Sequence, residues 1–365
     1  MPAPRVTVLM PVYNGAEYLE EAVESILRQT YSNFDFLIID DASGDGTAGL
    51  LKKIAAGEKR TRIITNPVRK QLAAALNQGI ESAGGKYIAM MNCDDISLPG
   101  RIERQVEFLK THPDIDVCGT WYERFNGIKE RVDLETEHEK IKTLLFRTCP
   151  VCHPSVMFRK EALERSGLRY CEEFNFAEDF EFWTRLVEKC HFANVPEVLL
   201  RYRIHANQTV VRYEQNHMAK VDAIRERQLR RLVSNPTDEQ MLLHLELCRG
   251  GFRRQGENYF EDIRNWLELL RNSNKQKGIY PQDEFSQMLK DWEKQLAYSF
   301  YFVRKKYSPA VLLDFLRNKN KPWDKIRPIY LIKFAVKCLI AWTPFAGKRQ
   351  LSERNKRRDK NAIND

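Results

Sequence analysis

The chain has 365 residues and a formal net charge of +9, from 59 Lys and Arg against 50 Asp and Glu. Hydrophobic residues make up 43% of it, with only 17 Gly and 15 Pro, so the composition excludes collagen-like and disordered proteins and predicts a large core. Residues 1–210 carry 27 basic and 31 acidic side chains, a net of −4, whereas residues 211–365 carry 32 and 19, a net of +13. We therefore expect the two halves to do different jobs.

The cysteines and the apolar runs indicate the cellular compartment of the protein. Eight scattered cysteines, several inside apolar runs, predict reduced core residues in the cytoplasm. Cys149 and Cys152 precede His153 in a pattern that invites zinc, but no second pair completes it, which favours ordinary loop cysteines. We also expect no secretory signal and no simple membrane-spanning helix, because no uncharged apolar stretch of about 18 residues occurs.

The first 120 residues alternate between short apolar runs and helix-period segments. This alternation predicts an α/β fold, with a mainly parallel, Rossmann-like sheet, helices on both faces and ligands bound beyond the carboxyl ends of the strands. The predicted strands are Val6–Met10, Phe34–Ile39, Arg62–Thr65, Tyr87–Met91 and Asp116–Cys118. The predicted helices are Glu17–Gln29, Ala48–Ala56, Leu72–Ser82 and Arg101–Thr111.

Acidic side chains follow two of these strands. Asp40 and Asp41 come after the second run, and Asp94 and Asp95 after the fourth. Because neighbouring strand ends lie about 5 Å apart, we expect the four carboxylates to converge on one crevice. Their repulsion would need a divalent cation or hydrogen-bond donors to offset it, and hard oxygen ligands favour Mg²⁺ or Mn²⁺. The alternative is a pair of ordinary loops in which one carboxylate caps the following helix.

These residues and their neighbours resemble the family 2 inverting glycosyltransferases, whose fold is called GT-A. The resemblance covers residues 5 to about 210, with its segments in the family's order and spacing. They are Val8–Asn14, Ile38–Thr47, Ala73–Ile80, Gly85–Asp95, His153–Ser155, Glu178–Asp179 and Tyr202–His205. The resemblance implies a metal-dependent enzyme of bacterial cell-surface polysaccharide synthesis that uses a nucleoside diphosphate sugar, in most relatives a UDP-sugar.

The resemblance also implies roles for the residues at the strand ends. Asp40 matches the acid that accepts a hydrogen bond from the nucleobase, and Asp41 would shape the same loop. In the segment that matches the metal-binding motif, Asp95 is the expected ligand of Mn²⁺ or Mg²⁺, and Asp94 lies near the ribose or the metal. Many relatives have Asp in place of Asn92, which leaves the coordination open. The first loop contributes the nucleotide-side residues Pro11, Tyr13, Asn14 and Glu17.

A basic loop precedes the third predicted helix. Many relatives have a glycine between Pro67 and Leu72, where this chain has Val-Arg-Lys-Gln. Arg69 or Lys70 could meet a phosphate, and a solvated basic loop is at least as well supported. Arg101 matches a family arginine, and an exposed first-turn side chain explains it equally well.

Asp179 is the predicted catalytic base. Phe176, Phe180 and Trp183 recur at helical spacing, which predicts a buried stripe with Asp179 beside it. In the family the Asp of such a Glu-Asp pair lies at a helix N-terminus, which favours its charged form, and takes the proton from the acceptor hydroxyl. The alternative is a simple helix cap. The acceptor or phosphate side would include His153, Glu178, Arg203 and His205.

The implied reaction is a single displacement at the anomeric carbon. The metal offsets charge on the departing nucleoside diphosphate, while Asp179 deprotonates the attacking hydroxyl on the opposite side of the sugar. The configuration is therefore inverted. The acceptor would be a saccharide, free or linked to a lipid.

The second half of the sequence has helical periodicity. Its segments are Met218–Leu232, Glu239–Gly250, Phe260–Asn272, Asp283–Val303 and Pro309–Leu316. We expect a catalytic domain over residues 1–212, a helical appendage over 213–327 and a basic amphipathic tail over 328–365. In the tail, Lys333 and Lys337 interrupt an apolar segment that precedes a basic run, a pattern that fits a helix lying on an anionic membrane at the inner face of the cell. A helix packed on the protein is an equal alternative.

Three other functions compete with the transferase. A sugar-nucleotide-binding relative without activity stays open. A nucleotidyltransferase would have a glycine-rich basic loop after the first strand, which this chain lacks. A nucleic-acid-binding protein would gather basic and aromatic residues on one face, whereas acids are interspersed through the basic half, so we predict no nucleic acid partner.

Overall fold

The computed structural model describes residues 5–250, 259–303, 307–317 and 328–340. The chain forms two compact units, a first unit of residues 1–236 with 279–284 and a second unit of residues 237–278 with 285–365. The first unit therefore includes the long helix over residues 214–232, and the predicted division of the chain at residue 212 stays a prediction.

The first unit is built on a sheet with the strand order β3-β2-β1-β4-β8-β6-β9-β5, and β7 pairs with β6. The strands are β1 (Val6–Val12), β2 (Phe34–Asp40), β3 (Thr61–Thr65), β4 (Tyr87–Met90), β5 (Ile96–Ser97), β6 (Val117–Phe125), β7 (Glu130–Val132), β8 (Met157–Arg159) and β9 (Phe192–Arg203). The helices are α1 (Leu19–Leu27), α2 (Thr47–Gly57), α3 (Leu72–Ser82), α4 (Arg101–Thr111), α5 (His138–Leu144), α6 (Lys160–Ser166), α7 (Glu178–Leu186), α8 (Thr209–Arg212) and α9 (Glu214–Leu232).

The two strands that carry the predicted acids, β2 and β4, lie on either side of β1. β1 pairs in parallel with β2 and with β4, and β2 pairs in parallel with β3. The register brings Val12 opposite Asp40, so the loops after β1 and β2 start at the same level of the sheet. The parallel arrangement predicted from the alternating pattern is confirmed. Beyond β4 the sheet is mixed, because β8 is antiparallel to both β4 and β6.

Both faces of the sheet are covered, because successive residues of a strand point to opposite faces. Leu9 and Leu37 belong to one core, which includes residues of α3 and α7. Val8 and Ile38 belong to another core, which includes residues of α1 and α4. The central strands β1 and β2 are therefore buried at every residue and mostly apolar, as expected for a parallel sheet between two helical layers.

Arg101 is part of this interior. It is fully buried, and its guanidinium donates to the carbonyls of Met90 (3.0 Å) and Pro154 (2.9 Å) and to Ser97 Oγ (2.7 Å). Burial lowers its pKa to about 10. The alternative of an exposed first-turn side chain is wrong, because Arg101 ties α4 to the end of β4.

The second unit is helical, and it confirms the predicted helical second half. Its helices are α10 (Asp238–Cys248), α11 (Tyr259–Lys277), α12 (Gln282–Tyr298), which spans the boundary between the units, α13 (Pro309–Arg317) and α14 (Pro328–Ile340), with a π-helical turn at Ser299–Val303. Among the described residues, no helix is long and apolar enough to cross a membrane. Of the predicted tail, residues 341–365 lie outside the described residues.

Candidate active site

The loops after β1 and β2 are joined by hydrogen bonds. Asn14 has a positive φ of 51°, which Asn tolerates better than most residues, and its side-chain oxygen accepts from the Gly44 N–H at 2.8 Å. Its own N–H donates to Ser43 Oγ at 2.9 Å. The two loops therefore hold one another in place beside Tyr13.

Asp40 and Asp41 are both buried and accept hydrogen bonds from loop backbone. Asp40 Oδ1 accepts an N–H of the loop that follows β2, at 3.1 Å. Asp41 holds the loop before α3, since its two oxygens accept the N–H groups of Lys70 and Gln71, both at 2.8 Å. The Asn66 amide donates to it as well, at 3.0 Å. A carboxylate has about four acceptor positions, so Asp41 retains one for a ligand.

The backbone of Gln71 has a conformation that is adopted almost exclusively by glycine. Its φ of 73° and ψ of 167° place it in a region where a side chain costs about 1–3 kcal/mol. It lies in the segment where many relatives have a glycine. The two N–H bonds to Asp41 keep the loop in this shape, and the guanidinium carbon of Arg69 stacks 3.9 Å from the centre of the Tyr13 ring. The strained loop thus positions Arg69.

The two acids after β4 have different surroundings. Asp95 is 0% exposed, and its oxygens accept from the Arg203 N–H (2.9 Å) and the Asn92 amide (3.2 Å). Burial, reinforced by the charge of Asp94, raises the pKa of Asp95. Asp94 is the acid that lines a cavity. The metal-ligand role expected for Asp95 stays a prediction, since Asp95 is enclosed while Asp94 lines the cavity.

His205 and Arg203 complete the group around Asp94. His205 Nε2 lies 3.0 Å from Asp94 Oδ2, and its buried Nδ1 has no hydrogen-bond partner in the described part of the chain. Arg203 is buried and donates to the Asp94 carbonyl at 2.7 Å and to the Glu21 carboxylate. Arg203 positions the acidic loop from behind, whereas Asp94 and His205 both line the cavity as a hydrogen-bonded pair.

A cavity of about 350 Å³ opens at the carboxyl ends of β1, β2 and β4. Three acids and two arginines on its wall sum to −1 with the histidine neutral. The charged and aromatic lining consists of Glu17, Asp41, Asp94, Arg69, Arg212, His205, Tyr13, Tyr18 and Tyr213. Polar groups include Asn14, Gln71, Asn92, Asn207, Gln208 and Thr209.

The predicted base lies at the N-terminus of α7, which begins at Glu178. Asp179 is partly buried, and its Oδ1 accepts the Phe180 N–H at 2.6 Å. Glu178 is 7% exposed, and its Oε2 has no hydrogen-bond partner in the described structure. Burial, followed by the charge of Asp179, raises the pKa of Glu178 to about 8. Glu178 therefore adds little negative charge beside Asp179 at pH 7.

His153 belongs to the same group. Its Nε2 lies 2.9 Å from the Tyr170 hydroxyl, and its ring lies 5.8 Å from that of Trp183. Burial, opposed by the charge of Asp179, lowers the pKa of His153. His153 is therefore a neutral, hydrogen-bonded ring that helps to enclose Asp179.

Tyr202 is affected by charges both of the cavity and of α7. Burial, followed by charges that include those of Asp95, Asp94 and Asp179, raises the pKa of its phenol. These carboxylates are thus all within electrostatic reach of one side chain.

The structure divides the predicted site residues into three sets. Those on the cavity wall are Pro11, Tyr13, Asn14, Glu17, Asp41, Arg69, Asp94 and His205. Those behind the wall are Asp40, Asp95 and Arg203, and those around α7 are His153, Glu178 and Asp179. Of the two basic residues expected to meet a phosphate, Arg69 lines the cavity, whereas Lys70 is exposed and does not.

Sequence reasoning missed the residues that follow His205. Arg212 and Tyr213 line the cavity from the end of α8, and Gln71 lines it from the strained loop. No local pattern marks α8, whose four residues contain two exposed valines. The available signal was its position a few residues after the Tyr-Arg-x-His segment.

Comparison with known proteins shows the family to which the chain belongs. Residues 7–167 match the sequence model described as Glycosyl transferase family 2. An uncharacterized glycosyltransferase of Haemophilus influenzae is 32% identical over 230 residues, which are 60% of this chain and 71% of that protein. The chain belongs to glycosyl transferase family 2.

Other relatives of this glycosyltransferase have more specific names. The putative glycosyltransferase EpsE of Bacillus subtilis is 36% identical over 205 residues, which are 55% of this chain and 73% of that protein. The O-antigen biosynthesis glycosyltransferase WbnJ of Escherichia coli is 35% identical over 213 residues, which are 56% of this chain and 81% of that protein.

Among solved structures, S. aureus TarS 1-349 in complex with UDP-GlcNAc has a TM-score of 0.56 at 14% identity, over 83% of this glycosyltransferase and 93% of that chain. Its complex with UDP gives 0.52 at 15% identity, over 83% and 92%. At this identity the likeness concerns the fold. The predicted GT-A fold and the family resemblance are therefore confirmed.

Proposed function

We propose that this glycosyltransferase moves a sugar, with inversion, from a nucleoside diphosphate sugar to an acceptor hydroxyl. The observation that carries the proposal is the cavity at the strand ends, where the Asp94–His205 pair shares a wall with Arg69 and Arg212. The two arginines could form charge-assisted hydrogen bonds with the oxygens of a diphosphate. TarS, which shares the fold, binds UDP-GlcNAc, so UDP is the nucleotide that we favour.

The nucleoside would lie against the first loop. Arg69 and Tyr13 form a stacked pair whose flat surface suits a base or ribose. Asp41 has an acceptor position left and lies on the wall, so it would accept the base N–H that the family resemblance assigns to Asp40. In this proposal Asp40 keeps the loop folded.

The donor set near the diphosphate suits Mg²⁺ or Mn²⁺. Asp94 would supply a hard oxygen, with His205 hydrogen-bonded to its carboxylate, and Mg²⁺ in such sites takes one or two protein ligands besides substrate phosphates. Within the described residues no group of three or more His, Cys, Asp or Glu converges on a metal position, so the donor itself would complete the ligand set. The bound ion would supply charge compensation for the leaving diphosphate.

Asp179 would take the proton of the acceptor hydroxyl. Its position at the start of α7 places it in the field of the helix N-terminus, which favours a carboxylate. Neutral Glu178 avoids a second charge at its side. One enzyme carboxylate suffices, because a single displacement forms no covalent intermediate, and an α-linked donor then gives a β-glycoside.

The acceptor would be a saccharide of a cell-surface polysaccharide, carried on a lipid at the cytoplasmic face of the membrane. The O-antigen relative in Escherichia coli supports the polysaccharide class. All eight cysteines are free, which suits the reducing cytoplasm. The rival is a donor-binding relative that does not catalyse transfer.

Thermal stabilisation by UDP, GDP, CDP and dTDP, with and without Mn²⁺, tests the donor site. We expect UDP with Mn²⁺ to raise the unfolding midpoint, because a ligand that binds only the folded state stabilises it. Asp94→Ala should abolish the response, whereas Asp114→Ala, at an exposed position, should not. Indifference to every nucleotide would refute the donor site.

The stereochemistry of slow donor hydrolysis tests the reaction without a known acceptor. Water replaces the acceptor hydroxyl, so an inverting enzyme should release the β-anomer first from an α-linked UDP-sugar, as followed by proton NMR. Initial release of the α-anomer would exclude inversion. Donor binding without hydrolysis, and without transfer to bacterial lipid extracts, would favour the binding-only rival.

A further inference from the structure

The helices α13 and α14 expose an unusual amount of apolar surface. Five of the eleven exposed large apolar side chains in the described part of the chain belong to these two helices. On α14 they form one stripe, Ile332 (60% exposed), Val336 (46%) and Leu339 (53%), which we call the α14 face. On α13 they are Leu313 and Leu316.

The exposure is not caused by loose packing of α14. Phe334 is 3% exposed and Cys338 is 0% exposed, and both lie on the other side of the helix from the α14 face. The Phe334 ring lies 5.3 Å from Phe315 of α13 and 5.0 Å from Phe302. One side of α14 is therefore seated in an aromatic cluster, and a different apolar side faces outward.

The charged residues of α14 itself are both lysines. Lys333 and Lys337 lie along one edge of the α14 face, and α14 contains no acid. Lys337 contacts the ring of Tyr307, with its Nζ 4.9 Å from the ring centre. The sequence on both sides of α14 is also basic, since residues 318–327 have four basic and one acidic side chain, and residues 341–365 have seven and three.

This charge pattern distinguishes the possible occupants. Residues 318–327 and 348–365 of this chain would bring more positive charge to the lysine edge, and residues 348–365 offer only Leu351, Ala362 and Ile363 as apolar groups. A second copy of the helix would likewise set lysines against lysines. An anionic bilayer surface accepts both features, since apolar side chains enter the acyl boundary while lysines reach the phosphates.

We propose that the α14 face binds the surface of an anionic lipid bilayer, with Lys333 and Lys337 at the headgroups. Binding here is peripheral, since the 13 residues of α14 are too few to span a bilayer. This interaction is independent of the proposed transfer reaction.

Flotation of the full chain with vesicles tests it. Vesicles of phosphatidylcholine with 30% phosphatidylglycerol should carry the protein at low salt, those of phosphatidylcholine alone should not, and added salt should weaken the binding. The triple variant Ile332→Ser, Val336→Ser, Leu339→Ser should bind at least about tenfold more weakly. The matched control Leu242→Ser removes an equally exposed side chain (58%) from α10 of the same unit and should bind normally.

Circular dichroism and the unfolding midpoint must show that the variants are folded, which is expected because the three side chains are exposed. Lys333→Gln with Lys337→Gln should lower binding to anionic vesicles and leave α-helix content unchanged. The proposal is overturned if the wild-type chain ignores anionic vesicles, or if the triple variant floats with them as well as the wild type does. It is also overturned if the triple substitution only dissociates a dimer in sedimentation.

Discussion

The acids at the cavity and the acids of α7 differ in how many hydrogen bonds they accept. Asp41 accepts three hydrogen bonds and Asp95 accepts two, mostly from backbone N–H groups that cannot move away. At α7, Asp179 accepts the N–H of its neighbour, and a buried oxygen of Glu178 has no partner in the described structure.

This difference separates positioning from proton transfer. A carboxylate that accepts several hydrogen bonds from loop N–H groups is held in a fixed position, which suits the wall of a binding site. A carboxylate with few donors can bind and release a proton at little structural cost. Asp94 is intermediate, because its one side-chain partner is His205.

The sharpest test of this difference is Asp179→Asn. We expect transfer or donor hydrolysis to fall by about 10³-fold, because a general base contributes about 10²–10⁴-fold. Donor binding, measured by calorimetry, should change little. Glu173→Gln, on the exposed stretch before α7, serves as the control. Loss of donor affinity equal to the loss of activity would place Asp179 with the binding acids instead.

Asp94→Asn and Asp95→Asn separate the exposed acid from the buried one. Asp94→Asn should weaken Mn²⁺-dependent UDP binding by about 10–100-fold with little change in the unfolding midpoint. Asp95→Asn should mainly lower the midpoint, because the acceptor of the Arg203 N–H is altered in a fully buried site. The opposite pattern, a stable Asp95→Asn protein that cannot bind metal, would support Asp95 as the metal ligand.

The two arginines of the cavity should have a smaller effect. Arg69→Ala and Arg212→Ala should each weaken UDP binding by about tenfold, as expected for the loss of a charge-assisted hydrogen bond. Lys70→Ala is the matched control, since this exposed side chain does not line the cavity and its N–H bond to Asp41 survives the substitution. Equal losses for all three would mean that only the general positive field matters.

Glu178→Gln should change activity by less than about threefold, yet alter the pH dependence of stability. Its pKa rises from the ordinary 4.5 to about 8 on folding, so the folded state binds the proton more tightly than the unfolded chain. Wild-type stability should therefore fall between about pH 4.5 and 8, by at most about 1.4 kcal/mol per pH unit. The variant should lack this loss, as seen in unfolding midpoints at pH 6, 7 and 8. Parallel profiles would show that Glu178 does not titrate there.

The alternating pattern was sufficient to predict the sheet and its ligand-binding edge. Regular strands and helices follow from local periodicity, and the parallel register then brings the loops after β1, β2 and β4 together. The helix α7 was predictable from Phe180 and Trp183, which are buried along it, but the predicted stripe was wrong in including Phe176, which lies before the helix with a φ of 83°.

Burial within the site was not predictable. Asp94 and Asp95 are adjacent and chemically identical, and what distinguishes them is the Arg203 N–H, which comes from β9 more than 100 residues later. The same applies to Arg101, whose acceptors are carbonyls of β4 and of the loop before β8. Arg212 was missed because a four-residue helix has no periodicity that could mark it.

The conformation of Gln71 has a consequence for engineering the enzyme. A glycine would relieve about 1–3 kcal/mol of backbone strain, so Gln71→Gly should raise the unfolding midpoint by a few degrees, in contrast to most glycine substitutions. It would also delete an amide from the cavity wall. Thermal tolerance and donor selection are therefore opposed at a single position, and a more heat-resistant variant made there should discriminate less well among sugar nucleotides.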